Sequence, residues 1–193
     1  VGVVGAGLMG SGIAEVSARA GADVVVVEEN PVAAEAGRAR IEKSLMRAAD
    51  AGKLPLGEAE SALQRLTFST DLADLANRQL VIEAIIEDEE AKTSLFQSVD
   101  KVLEDPDAVL ASNTSTLPIG GLAEASRRPA NCVGLHFFSP VPKMALVEVI
   151  LAPKTSPAAL ARALDYVRQI RRTPIVVNDA HAFYTTRCVE AFV

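Results

Sequence analysis

The sequence predicts an α/β fold: a doubly wound, mostly parallel sheet with helices on both faces. Three observations carry this prediction. Short β-branched runs alternate along the chain with segments of helical period. A glycine-rich turn, Gly5-Ala6-Gly7-Leu8-Met9-Gly10, joins the first apolar run to the first helical one. An acidic residue, Glu28, closes the second apolar run.

The elements follow in order. Residues 1–4 form an apolar run ending at Gly5, the pattern of a buried strand. Leu8 to Ala20 has helical period and stops at Gly21, a fitting C-cap. Val24 to Val27 is a second buried strand. Asn30 as N-cap and Pro31 at the first helical position open a long helix that Gly52 stops. A short helix and a third strand over 65–69 come next, then a fourth strand over 80–84. Asp88 to Leu103 is an amphipathic helix with acids at its start, where the macrodipole favours them. A fifth strand at 109–111 leads into the polar turn 112–116 and a short helix from Pro118. Strands at 132–136 and 146–150 flank an irregular connection, 137–145, too short to be a domain boundary. A helix from Ser156 to Arg171 and a strand at 175–177 complete the pattern.

Composition narrows the function classes. Hydrophobic residues make up 49% and charged residues 23%, which is globular rather than disordered. With aromatics at only 4% and no Trp, the core is built from Ala, Val, Leu and Ile, which suits close helix-on-sheet packing. A net charge of -6 and no basic stripe argue against nucleic-acid binding. Arg127-Arg128 and Arg171-Arg172 read as isolated pairs of solvated surface. Cys132 and Cys188 are too far apart for a disulfide framework and lack metal-ligand spacing, so both are expected reduced, in the cytoplasm or another reducing compartment. No stretch reaches the ~18 apolar residues of a membrane span. The chain starts inside a strand without Met and stops part-way through an apolar, helix-like stretch, which reads as part of a longer protein.

The glycine turn carries the first functional reading. G-x-G-x-x-G alone is weak, but here it lies between a strand and a helix, the context the motif requires. Gly5 permits the tight turn, Gly7 lets a pyrophosphate approach, and Gly10 lets helix and strand pack closely. The helix start at Leu8 and Met9 then offers free N–H groups and a positive dipole end to phosphates. This is the dinucleotide site of a Rossmann-like sheet. Glu28 lies where the ribose-binding acid is expected and would repel a 2′-phosphate, favouring NAD over NADP. Glu29 is adjacent; Glu28 is preferred because it directly follows the valine run.

Two histidines are candidates for acid–base work, His136 at a strand end and His181 near a helix start. Oxidising an alcohol with NAD needs a base for the hydroxyl proton, and an imidazole at a strand's end beside the cofactor suits that task. A buried, satisfied histidine is the alternative reading of His136. Glu148 is the only charge within strand 146–150. If that strand neighbours 132–136, Glu148 can fix the tautomer of His136, as a triad acid does; otherwise it is an edge-strand carboxylate in water. Ser115, in the turn after the fifth strand, can hold a substrate oxygen or simply cap a turn.

At this point the residues resemble a known family over essentially the whole chain. The blocks GAGLMGSGIA at 5–14, VIEAIIEDEEAKTSLF at 81–96, ASNTSTLPI at 111–119, GLHFFSPVPKMALVEVI at 134–150 and VVNDAHAFYTTRC at 176–188 are similar to the NAD-binding domain of 3-hydroxyacyl-CoA dehydrogenases. The resemblance implies NAD-dependent oxidation of (S)-3-hydroxyacyl-CoA to 3-oxoacyl-CoA in fatty-acid beta-oxidation. It places the catalytic pair on His136 and Glu148 and the substrate serine on Ser115. Cofactor contacts fall on Glu28, Ala84, Glu87, Lys92, Asn113 and Ser139, in addition to the glycine loop. Coenzyme A contacts fall on Ser44 and, near a missing family lysine, on Lys53. Residues 1–180 correspond to the NAD domain, and 181–193 to the start of a helical domain otherwise absent from the chain, through which the parent would form a homo-oligomer. A fragment without that domain is expected to turn over poorly. Three departures stand out. Ser139 replaces a frequent Asn. Thr186 occupies the place of an active-site Asn. Ala182 replaces a Gly, so its backbone is expected to avoid positive φ. The Ser139, Lys143-Met144 and FYTTRC variants resemble the multifunctional fatty-acid oxidation alpha-subunit type. Two alternatives remain, a non-catalytic NAD-binding module and a β-hydroxyacid dehydrogenase of another family. His136, Glu148 and Ser115 weigh against the first, although Thr186 weighs a little for it; Glu28 and the His136–Glu148 pair weigh against the second.

Overall fold

The computed structural model describes residues 1–180 and 182–190; His181 lies outside the described residues. Eight strands form one sheet: β1 (Gly2–Val4), β2 (Val24–Val27), β3 (Leu66–Ser69), β4 (Leu80–Glu83), β5 (Val109–Ser112), β6 (Cys132–Phe137), β7 (Leu146–Leu151) and β8 (Thr173–Asn178). The helices are α1 (Leu8–Arg19), α2 (Pro31–Asp50), α3 (Leu56–Gln64), α4 (Glu89–Val102), α5 (Ile119–Ala125), α6 (Pro157–Gln169) and α7 (Thr185–Glu190). The sheet order is β3-β2-β1-β4-β5-β6-β7-β8. All neighbouring pairs are parallel except β6 with β7, which are antiparallel.

Strand period explains the two-sided core. Within the Val24–Val27 run, Val24 and Val26 join one apolar cluster and Val25 and Val27 the other, because successive side chains point to opposite faces. Ile41, Leu45, Ala59 and Ala163 cover the first face; Phe96, Val99, Ile119 and Leu122 cover the second. Parallel strands with both faces covered need continuous apolar runs, and these strands have them. Burial pushes the Cys132 thiol up to about 11, which keeps it protonated and inert. No helix among the described residues is long and apolar enough to cross a membrane.

The chain leaves β1 towards β2 and β3, then crosses back to β4 and proceeds the other way. The loops after β1 and β4 therefore diverge, opening the crevice in which ligands of such sheets bind. The 137–145 connection also serves this end. Val141 is buried and packs against Gly12 of α1, so the β6–β7 loop is fastened beside the glycine turn.

Two expectations are corrected. Arg127 and Arg128 are not plain solvated surface. Both clasp the buried carboxylate of Asp100, Arg127 through Nε at 3.0 Å and Arg128 through Nε at 2.5 Å, and the Arg128 side chain is only 14% exposed. A buried carboxylate in α4 has to be paired, and the two arginines satisfy it. Arg172 is likewise half-buried and donates to the carbonyls of Val141 and Pro142. Ala182 does not avoid positive φ: it sits at φ 57 and Phe183 at φ 50. Both are buried, and the Phe183 amide donates to Ala180, so local packing and bonding hold a conformation that costs an L-residue about 1–2 kcal/mol.

Candidate active site

The glycine turn is built for a close-approaching ligand. Gly5 has φ 95, and a Cβ there would lie 2.6 Å from the Ala84 carbonyl oxygen. Ala84 thus backs the turn from the end of β4. A Cβ on Gly10 would come within 1.8 Å of the Gly5 oxygen, so α1 can start this tightly only with glycine there. Gly7 faces open space, with nothing within 4 Å of where its Cβ would be. No side chain caps the N-terminus of α1, which leaves the amides at Leu8 and Met9 for an incoming anion. An open cradle at an uncapped twelve-residue helix fits a dinucleotide pyrophosphate.

Glu28 follows β2 and lies across the same turn, accepting from the Ala6 amide. Glu29 is exposed; its carboxylate accepts from the Asn30 side chain and its amide donates to Glu28. The geometry therefore separates the two adjacent acids, and Glu28 is the one at the loop. Leu8, Val32 and Ile86 are exposed, each in the segment that follows β1, β2 or β4.

The ends of β4 and β5 carry a dense polar network. Lys92 of α4 is 1% exposed, and its Nζ meets Glu83 at 2.5 Å and Glu87 at 3.3 Å. Glu83 also accepts from the Ser112 hydroxyl at 2.5 Å and the Ile85 amide at 2.8 Å. Glu87 accepts from the Thr114 hydroxyl, from the amides of Ser115 (3.1 Å) and Thr116 (3.2 Å) and from the Thr116 hydroxyl (3.0 Å). Burial alone would raise the Glu87 carboxyl, but these donors and the Lys92 charge bring it below the usual carboxylate range. Ser115 stands exposed on the turn that Glu87 holds. Asn113 precedes it, and its side-chain oxygen accepts from the Phe137 amide at 2.9 Å, joining this turn to the end of β6.

His136 is on β6, directly opposite Glu148 on β7 in the antiparallel register. His136 Nδ1 lies 2.6 Å from Glu148 Oε2, with side chains 6% and 0% exposed. Glu148 is thus no edge-strand acid: β8 covers the far side of β7. Its other oxygen accepts from the amides of Thr185 (2.7 Å) and Tyr184 (3.3 Å) at the start of α7. Burial alone would raise the carboxyl, but the His136 hydrogen bond and the Thr185 amide hold it below its ordinary value, so it is ionised. An ionised acceptor at Nδ1 puts a proton on that nitrogen and leaves Nε2 with its lone pair. The imidazole is flanked by Phe138 and Phe183, with ring centroids at 4.6 and 5.7 Å.

The remaining expected residues lie outside these networks. Ser139 is exposed just after β6, and Thr186 is half-buried in α7. Ser44 of α2 is half-buried beside Glu15 of α1, a buried acid whose carboxyl burial pushes up. Lys53 is exposed in the turn after α2. Sequence reasoning missed Glu83, Ser112 and Thr114. The available signal was an acid at the end of a strand otherwise buried on both faces, which needs a partner.

A mostly parallel sheet with an open glycine cradle at its switch point and an acid beside it defines the Rossmann class of dinucleotide-binding domains, and here it also carries a buried His–Glu pair. Residues 1–180 match the model of the 3-hydroxyacyl-CoA dehydrogenase, NAD binding domain, family. The chain belongs to that family. It is 53% identical over 176 residues to a 3-hydroxybutyryl-CoA dehydrogenase of Mycobacterium tuberculosis, covering 91% of this chain and 62% of that protein. It is similar in structure to M. tuberculosis FadB2 (TM-score 0.97, 49% identity, 99% of this chain and 67% of that one). It is also similar to the (S)-3-hydroxybutyryl-CoA dehydrogenase PaaH1 of Ralstonia eutropha (TM-score 0.95, 37% identity, 97% and 66%). The chain therefore spans about 62% of the length of the curated relative.

Proposed function

We propose that this chain is the NAD-binding, base-carrying part of an enzyme that interconverts (S)-3-hydroxyacyl-CoA and 3-oxoacyl-CoA. We further propose that it takes short acyl chains such as 3-hydroxybutyryl and serves fatty-acid beta-oxidation. The observation that carries this reading is the buried His136–Glu148 pair. Glu148 orients the ring, and Nε2 takes the proton of the substrate's 3-hydroxyl as the C3–O bond becomes a carbonyl. The resulting imidazolium is stabilised by the adjacent carboxylate. Ser115 hydrogen-bonds the 3-oxygen. Bound NAD supplies the acceptor for the hydride that leaves C3.

Gly5, Gly7, Leu8, Met9 and Gly10 hold the pyrophosphate, and Glu28 takes the ribose hydroxyls. Ala84, Glu87, Lys92, Asn113 and Ser139 complete the cofactor side. Coenzyme A runs along α2, past Ser44 and Lys53. Residues from 181 onward begin a helical domain that closes the site and carries homo-oligomer contacts. The relatives' names and the site geometry together support this reading.

Calorimetry with NAD and NADP, beside turnover of acetoacetyl-CoA with NADH, tests it. Tighter binding of NAD, a loss of roughly tenfold in its affinity in Glu28→Ala, about one lost charge-assisted hydrogen bond, and measurable turnover are expected. A full-length protein that binds neither nucleotide, or binds NAD but never turns over the thioester, refutes it.

A further inference from the structure

We propose that Asp179 is a positioning residue for the turn that carries Asn113 and Ser115, and that it acts by capping α5 from the end of β8. The proposal rests on the role given to Ser115 above. Amides in the first turn of a helix have no partner within it. α5 is seven residues long, and the residue before it, Pro118, brings no capping side chain. The cap comes instead from 60 residues further along the chain. Asp179 Oδ1 accepts from the Ile119 amide at 2.9 Å, and Oδ2 from the Gly120 amide at 2.7 Å. A carboxylate there faces the positive end of the helix dipole, and bonds to a charged acceptor are the stronger kind. Gly120 admits this approach: a Cβ there would lie 3.2 Å from Asp179 Oδ2 and 3.2 Å from Pro153 Cδ. Asp179 is itself fixed, because it directly follows β8 and its amide donates to the Leu151 carbonyl at the end of β7. The turn between β5 and α5 is therefore held at both ends. Glu87 gathers its first half, accepting from the Thr114 hydroxyl and the Ser115 and Thr116 amides. Asp179 anchors its far end at the buried Ile119. Ser115 is exposed, so these anchors rather than packing set where its hydroxyl stands. The chain beyond β8 reaches the site a second time, where the Tyr184 and Thr185 amides donate to Glu148. One connection leaving the sheet thus refers both the substrate turn and the His136–Glu148 pair to a single frame.

Hydrogen exchange tests the cap without any use of activity. In the full-length protein the Ile119 and Gly120 amides should exchange at least about tenfold more slowly than in an unstructured peptide, although they begin a helix. Asp179→Ala should abolish that protection, speed exchange across residues 113–118 and leave the amides of β5 and β6 protected. Kinetics then separate positioning from stability. A Ser115 displaced by about 1 Å is expected to cost about ten- to a hundredfold in kcat with acetoacetyl-CoA, while KM for NADH changes less than about threefold. In a Ser115→Ala background, Asp179→Ala should change kcat less than about threefold, because the group it positions is gone. Should Asp179→Ala not fold, the isosteric Asp179→Asn takes its place in the same cycle. It keeps one acceptor oxygen and turns its NH2 towards the other amide, with an expected loss of about tenfold. A folded Asp179 variant with wild-type exchange at 119–120 and wild-type kcat refutes the proposal. So does a loss of kcat that is undiminished in the Ser115→Ala background. A protein that shows the exchange changes but never turns over the thioester sinks the function proposed above and leaves Asp179 as the anchor of the turn.

Discussion

Glu148→Gln isolates what the His136–Glu148 pair does. Glu148 has no exposed surface and takes three donations: His136 Nδ1–H at 2.6 Å and the Thr185 and Tyr184 amides at 2.7 and 3.3 Å. Glutamine is isosteric. Its oxygen must stay with the two amides, because an NH2 placed there would face other donors. The NH2 then faces His136 and donates to Nδ1, which moves the ring proton to Nε2. An Nε2–H cannot take the substrate's proton. In the Ser-His-Asp triad the equivalent change costs about 10⁴ in kcat by enforcing the wrong tautomer. The expected loss here is about 10³–10⁴ in kcat, or about 4–5 kcal/mol in the barrier. Stability should move far less: a charge-assisted bond worth roughly 1.5–3 kcal/mol is lost, but a charge no longer has to be buried. Glu148→Asp, which keeps the charge on a shorter stem, should fall between the two. The assay is acetoacetyl-CoA-dependent oxidation of NADH by the full-length protein, with a thermal melt of each variant. A folded Glu148→Gln within tenfold of wild-type kcat would falsify the tautomer argument.

Further outcomes follow from the same structure. Burial alone would raise the carboxyls of Glu148, Glu87 and Asp100, but their hydrogen bonds and cationic partners hold each below its usual value in the fold. The unfolded chain therefore binds more protons in that range, so stability is full above the ordinary carboxyl value of about 4 and is lost as pH falls through the depressed ones; a melt series that showed acid stabilisation would contradict this. Asp100→Ala leaves Arg128 without its partner in a largely buried place and should cost about 3 kcal/mol, read by chemical denaturation. Arg171 ends α6 at φ 58 and is exposed, so Arg171→Gly should raise stability by about 0.5–1 kcal/mol despite removing a charge; a lower melting temperature would show that the side chain contributes more than the backbone strain costs.

Much of this was legible in one dimension. The β-branched run at 24–27 and the short apolar run at 109–111 announce strands buried on both faces, because only such strands need no polar alternation. Asn30 and Pro31 marked the start of α2, and the structure has Asn30 accepting from the Ala33 amide at 2.9 Å. The glycine turn and Glu28 are neighbours across a single strand–helix–strand unit, so their spacing along the chain is nearly their relation in space. His136 and Glu148 were individually visible as a histidine at a strand end and a charge in an apolar strand.

What the tertiary structure alone decided lies in pairings between distant segments. Whether Glu148 met His136 or water turned on β6 and β7 being antiparallel neighbours in one register, a choice made by sheet closure and not by either strand. The same holds for Lys92, whose partners come from the ends of β4 and the loop beyond it, and for Arg127 and Arg128, whose role is set by a carboxylate buried in α4. The left-handed backbone at Ala182 is likewise imposed by its surroundings against the residue's own preference. Local sequence determines which backbone shapes and buried faces are inexpensive. Only the closed fold determines which polar groups, once water is excluded, must answer one another.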